Sequence, residues 1–161
     1  MKYTNYFLFI TLVFFVAAGI SGCSQEEQSK AESNKPATAE PVSVTMYKNP
    51  NCQCCERWGA YMEENGYAVT TKPSDQLASI KQKNGVPNNL AACHTALVDG
   101  YVVEGHVPVE AVNKLLKERP DVKGIAVPGM PAGAPGTTGD RSPVEVYFFN
   151  GSDQIAFFDK F

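Results

Sequence analysis

The sequence predicts one α/β domain, a mixed sheet flanked by helices and closed by a C-terminal β-hairpin, over residues 42–161 of the 161-residue chain. Short β-branched runs alternate with helical stretches from Val42 onward, the pattern of a sheet with helices packed on it. Asp99-Gly100 and Asn150-Gly151-Ser152-Asp153 each separate two β-type runs, the mark of a hairpin. About 120 residues suffice for one ordinary core and are too few for two.

Val42-Ser43-Val44-Thr45-Met46-Tyr47 alternates as a strand does, and Asn49-Pro50-Asn51 ends it. Cys55, Trp58 and Met62 recur at helical spacing in the next stretch, which Asn65-Gly66 stops as a left-handed C-cap. Tyr67 to Thr71 reads as a second strand. Ser74 and Asp75 are candidate caps of a helix that runs to about Lys83 and ends at Asn84-Gly85. Thr95 to Val98 and Tyr101 to Glu104 flank Asp99-Gly100, a type I′ signal. Pro108 starts a helix with Val112, Leu115 and Leu116 on one face. Residues 125–139 read as a Gly/Pro loop, and Val144 to Phe149 with Gln154 to Phe158 as the last hairpin. A strand, a cysteine loop and a helix, then β-α and a hairpin with its helix, is the order of a thioredoxin-like domain; the architecture is expected on that order.

The segment ahead of the domain reads as an address. Lys2 precedes an apolar run from Tyr6 to Ile20, shorter than the roughly 20 residues of a membrane span. Ile20-Ser21-Gly22-Cys23 follows, and resembles the lipobox of bacterial lipoproteins. That resemblance implies a signal peptide over residues 1–22, lipidation of Cys23 and anchoring by its acyl chains, each buried methylene contributing about 0.8 kcal/mol. Ser24 after the lipid cysteine implies the outer membrane, facing the periplasm. Residues 24–41 hold no aromatic or branched aliphatic side chain and read as a flexible leash; with Cys23 they form a linker over 23–41. The chain from Cys23 carries 13 basic and 17 acidic residues, a net charge of −4. There is no basic stripe, so nucleic acid is not an expected partner.

Three cysteines fall within four residues, Cys52-Gln53-Cys54-Cys55, and Cys93-His94 supplies a fourth. A Cys54–Cys55 bridge strains one peptide unit, and Cys52–Cys54 is poorly set up at a helix start. Cys52–Cys55 is the C-x-x-C redox pair and closes easily; a bridge from any of the three to Cys93 is also open. Thiolates at a helix N-terminus are favoured by the dipole and free N–H groups, and three together repel unless a cation joins them. Such thiolates select Cu(I), zinc or an iron–sulfur cluster over hard cations. No second C-x-x-C supports a zinc ribbon, and the spacing is not that of a ferredoxin. Crowded thiolates suit Cu(I), with zinc as the other possibility. His94 and His106 are the two histidines, each a candidate ligand against an ordinary packing or capping role. Met130, between Gly129 and Pro131, is a candidate thioether ligand. Met46, Met62 and Trp58 read as core. The acids read as scattered solvated charges, with no carboxylate pair for acid–base work.

Met46-Tyr47-Lys48 through Cys55 and Trp58, Ala92 to Ala96, Glu104 to Pro108 and Gly124 to Pro131 together resemble the CopG-type family, small periplasmic thioredoxin-like proteins associated with copper resistance. The resemblance spans most of residues 42–161 and implies copper binding through the cysteines and a role in copper redox handling. In that family a second Pro-Gly-Met follows the Met130 loop; here Pro135-Gly136 is followed by Thr137-Thr138. The expected function is a lipid-anchored extracytoplasmic Cu(I) protein. Its expected ligands are Cys52, Cys54, Cys55 and Cys93, with His94, His106 and Met130 as helpers. Its expected partners are copper ions and other periplasmic copper-handling proteins. The alternative is a thiol–disulfide or copper oxidoreductase using Cys52 and Cys55.

Overall fold

A computed structural model describes residues 40–151 and 154–161. The signal segment, the lipobox with Cys23 and the linker up to residue 39 lie outside the described residues. No helix among the described residues is long and apolar enough to cross a membrane.

The chain runs β1 (Ser43–Lys48), α1 (Gln53–Glu64), β2 (Ala68–Pro73), α2 (Leu77–Lys83), a 3-10 turn (Asn88–Leu90), β3 (His94–Val98), β4 (Tyr101–Glu104), α3 (Val109–Glu118), β5 (Gly124–Ala126), β6 (Glu145–Phe149) and β7 (Ile155–Lys160). One seven-stranded sheet has the order β2-β1-β3-β4-β5-β6-β7. β2 is parallel to β1, β3 is antiparallel to β1, and β4 is antiparallel to β3. With α1, α2 and α3 this is a thioredoxin-like core, and β5, β6 and β7 extend its sheet. The β3–β4 turn carries φ of 46° at Asp99 and 88° at Gly100, the two positive values a type I′ turn requires.

The main core lies between the sheet and the helices α1 and α3. Val44, Met46, Ala96, Val98, Val103, Ile125 and Val146 meet Cys55, Trp58 and Met62 of α1 and Val112 and Leu115 of α3. A smaller cluster gathers Val86 and Leu90 with Val102, Ala126 and Phe149. Alternate residues of one strand enter different clusters, as a period of two demands: Val103 joins the first and Val102 the second.

Two local expectations are corrected. The stretch 125–139 is not loop throughout, because Gly124–Ala126 forms β5 between β4 and β6. A Cβ at Gly124 would lie 2.0 Å from the Val102 carbonyl oxygen, so the close backbone approach excludes any side chain. Ser74 and Asp75 do not cap α2. Its N-cap is Gln76, which makes no side-chain cap, and Ser74 Oγ accepts from Gln76 N in the turn before it.

Candidate metal centre

Cys52 is the N-cap of α1, and its Sγ accepts the Cys55 backbone N–H at 3.3 Å. The helix therefore presents Cys52, Cys54 and Cys55 from its first turn, as the spacing predicts. Cys52 and Cys55 form a disulfide with Cα atoms 5.4 Å apart, within the ordinary range. Cys54 and Cys93 are free. Cys54 Sγ lies 3.3 Å from Cys52 Sγ, 4.0 Å from Cys93 Sγ and 3.4 Å from Met130 Sδ. All four cysteine sulfurs fall within 4.8 Å of one another. The loop before β3 folds back on α1, as the fold order requires.

His106 has a fixed tautomer. Its Nδ1 donates to the Pro135 carbonyl at 2.7 Å, so Nε2 carries the lone pair and accepts the Cys93 thiol at 2.9 Å. Burial lowers the His106 pKa, with the Pro135 carbonyl opposing the shift. His94 is fully buried, its ring centroid 4.5 Å from that of Trp58 and 4.9 Å from that of His106. Its Nδ1 is 3.9 Å from Cys93 Sγ, and Nε2 has no partner among the described residues. Burial first, then the His106 and Lys81 charges, hold its pKa well below the usual value. Burial and the Cys54 thiol push the Cys93 pKa up to about 12. The imidazoles are thus neutral, and Cys93 is a protonated thiol that shares its hydrogen with His106 in the absence of a cation. Cys93, His94 and His106 form a second group of donor atoms within 4.8 Å of one another.

Met130 is 58 % exposed, so a thioether stands at the mouth of the cluster. A recess of about 170 Å³ opens there, lined by Cys54, Arg57, Met130, Ala132, Thr137 and Thr138. Gly136 seats the loop on α1: φ is +81°, and a Cβ would lie 2.7 Å from both Cys54 O and Trp58 N. Arg57 Nε donates to the Gly136 carbonyl at 2.8 Å. The Thr137 hydroxyl turns into the loop and donates to Pro131 O and Ala134 O. All seven predicted residues are therefore gathered at the N-terminal end of α1, with Cys55, His94 and His106 fully buried.

Two supporting groups were not foreseen. Glu104 is no solvated charge but fully buried, accepting from Lys81 Nζ, Thr95 Oγ1 and Ala92 N. Lys48, 2 % exposed, lies beneath the cysteine loop and donates to Asn49 O, Pro50 O and Glu56 Oε1. Glu104 had a signal in the sequence: it falls in a strand whose other residues are apolar or aromatic.

The fold and site define a thioredoxin-like domain whose first helix turn gathers free and bridged cysteines, two histidines and a methionine. Residues 90–137 match a family described as a protein of unknown function, DUF411. Two solved structures of a copper resistance protein CopG, Form 2 and Form 1, are similar to this chain at 39 % identity each. The first has a TM-score of 0.70 over 76 % of this chain and 99 % of that one; the second has 0.69 over 76 % and 98 %. No curated protein sequence matches. The chain belongs to the CopG family.

Proposed function

We propose that the chain is a lipid-anchored, extracytoplasmic metal-binding protein that holds Cu(I) through clustered thiolates and serves copper resistance by sequestration or handover. The position of Cys54 carries this reading. A C-x-x-C redox pair has no use for a third sulfur, yet Cys54 Sγ stands 4.0 Å from Cys93 Sγ and 3.4 Å from Met130 Sδ. Two sulfurs each about 2.3 Å from one ion lie about 3.8 Å apart at a tetrahedral angle and about 4.6 Å apart in line. The Cys54–Cys93 spacing falls between those limits. Soft donors favour Cu(I), and zinc is the other ion the set suits. The His106 Nε2 lone pair completes the donors at hand, and Cys52 and Cys55 join them once their bridge is reduced. The relatives named for copper resistance support the choice of metal. Ile20-Ser21-Gly22-Cys23 supports lipid attachment, with Ser24 favouring the outer membrane and periplasmic copper-handling proteins as partners.

The test is metal retention. The full chain is purified in detergent, reduced without air, loaded with copper or zinc, desalted and assayed by elemental mass spectrometry. Copper retained in preference to zinc is the expected result; retention of neither overturns the reading. For the anchor, a Cys23→Ala variant should leave the membrane fraction, and one that stays there contradicts lipidation.

The Cys52–Cys55 bridge favours a second reading, a thiol–disulfide or copper oxidoreductase using that pair. Such an enzyme shows reversible bridge formation at a defined potential and tolerates Cys54→Ser.

A further inference from the structure

Glu104 is a charged side chain at the root of both loops that carry the candidate donors. Its Oε1 accepts from the Ala92 backbone N–H at 2.7 Å and from Lys81 Nζ at 2.5 Å, and Oε2 accepts from Thr95 Oγ1 at 2.7 Å. Lys81 Nζ also donates to Thr95 Oγ1 at 3.0 Å, closing a ring between α2, β3 and β4. Ala92 precedes Cys93, and it forms an isolated parallel bridge with Gly129, which precedes Met130. The Glu104 carbonyl accepts from Val127 N at 3.0 Å, tying the same strand to the start of the Met130 loop. Gly105 makes the crossing possible, since a Cβ there would lie 2.6 Å from both Ala92 Cβ and Val127 O.

We infer that the Lys81–Glu104 pair, its carboxylate fully buried and its lysine partly so, positions the metal-capture site, pinning Ala92 N so that Cys93 and Met130 stand opposite Cys54. The inference rests on the metal-binding reading for its purpose, but not for its geometry. The carboxylate touches none of the candidate donors and acts through backbone. A merely stabilising pair would be replaceable by any residues that fill its volume. Buried ion pairs can often be exchanged for apolar residues of like size without loss of stability. A positioning pair needs an acceptor for Ala92 N, and nothing apolar supplies one.

Two variants separate these cases in the full chain. Lys81→Met with Glu104→Gln keeps a neutral acceptor for Ala92 N; Lys81→Met with Glu104→Met keeps only the volume. The first measurement needs no metal. Diamide oxidises two neighbouring thiols to a disulfide while its N=N bond takes up their two hydrogens. The rate of the Cys54–Cys93 cross-link, read by peptide mass spectrometry, therefore reports how well the two sulfurs are held together. The Gln variant should cross-link within about threefold of the parent, and the Met variant at least tenfold more slowly. The second measurement is Cu(I) affinity against a chromophoric chelator, where loss of support around ligands typically costs about 10–100-fold. The Met variant should show that loss and the Gln variant should recover most of it.

Equal cross-linking in both folded variants overturns the inference. A slowed cross-link in the Met variant, in a chain whose parent holds no copper, sustains the positioning and removes the metal reading. If the Met variant does not fold, hydrogen exchange in the parent decides: a slowly exchanging Ala92 amide supports the pin, and exchange at a free-loop rate overturns it.

Discussion

The Cys93 thiol donates to His106 Nε2 across 2.9 Å, and the imidazole is locked for that role by its Nδ1–H bond to Pro135 O. Neither partner is poised to ionise. Burial and the Cys54 thiol push the Cys93 pKa up to about 12, and burial lowers that of His106. The pair is a thiol beside a neutral base, and a cation that takes the sulfur must displace its proton.

Alkylation of Cys93 should therefore be slow at pH 8 in the metal-free chain. Its rate should rise about tenfold per pH unit and keep rising beyond pH 10. Iodoacetamide labelling followed by peptide mass spectrometry measures this. A plateau below pH 9 contradicts the environment described for Cys93.

Acid should destabilise the metal-free fold through the two histidines. Both have folded pKa values below the ordinary 6.5, so the unfolded chain takes up their protons first as pH falls. Their contribution is fully present above pH 6.5 and declines below it. The slope reaches about 1.4 kcal/mol per pH unit for each histidine. Urea unfolding between pH 8 and pH 5 tests it, and a midpoint flat across that range contradicts neutral burial.

Gly136→Ala should loosen the loop from α1. The substitution forces a β-carbon onto φ +81° and against Cys54 O and Trp58 N. The left-handed conformation alone costs a non-glycine residue about 1–3 kcal/mol. Denaturant unfolding reads the loss. Faster labelling of Cys93 should accompany it, because Pro135 would no longer fix the His106 ring.

The site was legible where local chemistry decides it. Asp99-Gly100 announces its own turn, and the helix start after Asn51 places three sulfurs in one turn whatever surrounds them. Cys93 was legible through fold order, since the strand pair it precedes has one place in a thioredoxin-like sheet. The Lys81–Glu104 pair was not, because an ion pair joining α2 to β4 across 23 residues leaves no periodic trace. β5 was missed for a related reason: Gly124 must be bare to pass Val102, and a glycine beside a Pro-rich stretch reads as loop. The bridge between Cys52 and Cys55 was one of several pairings the spacing allowed. Cap geometry that brings their Cα atoms to 5.4 Å selects it.

Cys54 separates the metal site from a redox pair most directly. The parent and a Cys54→Ser variant, each reduced without air, are loaded with Cu(I) and assayed for retained copper. Their Cys52–Cys55 bridges are then re-formed and titrated. The variant should lose most of its copper while its bridge still closes and opens as in the parent. A variant that holds as much copper as the parent contradicts a metal site built on the Cys54 thiolate.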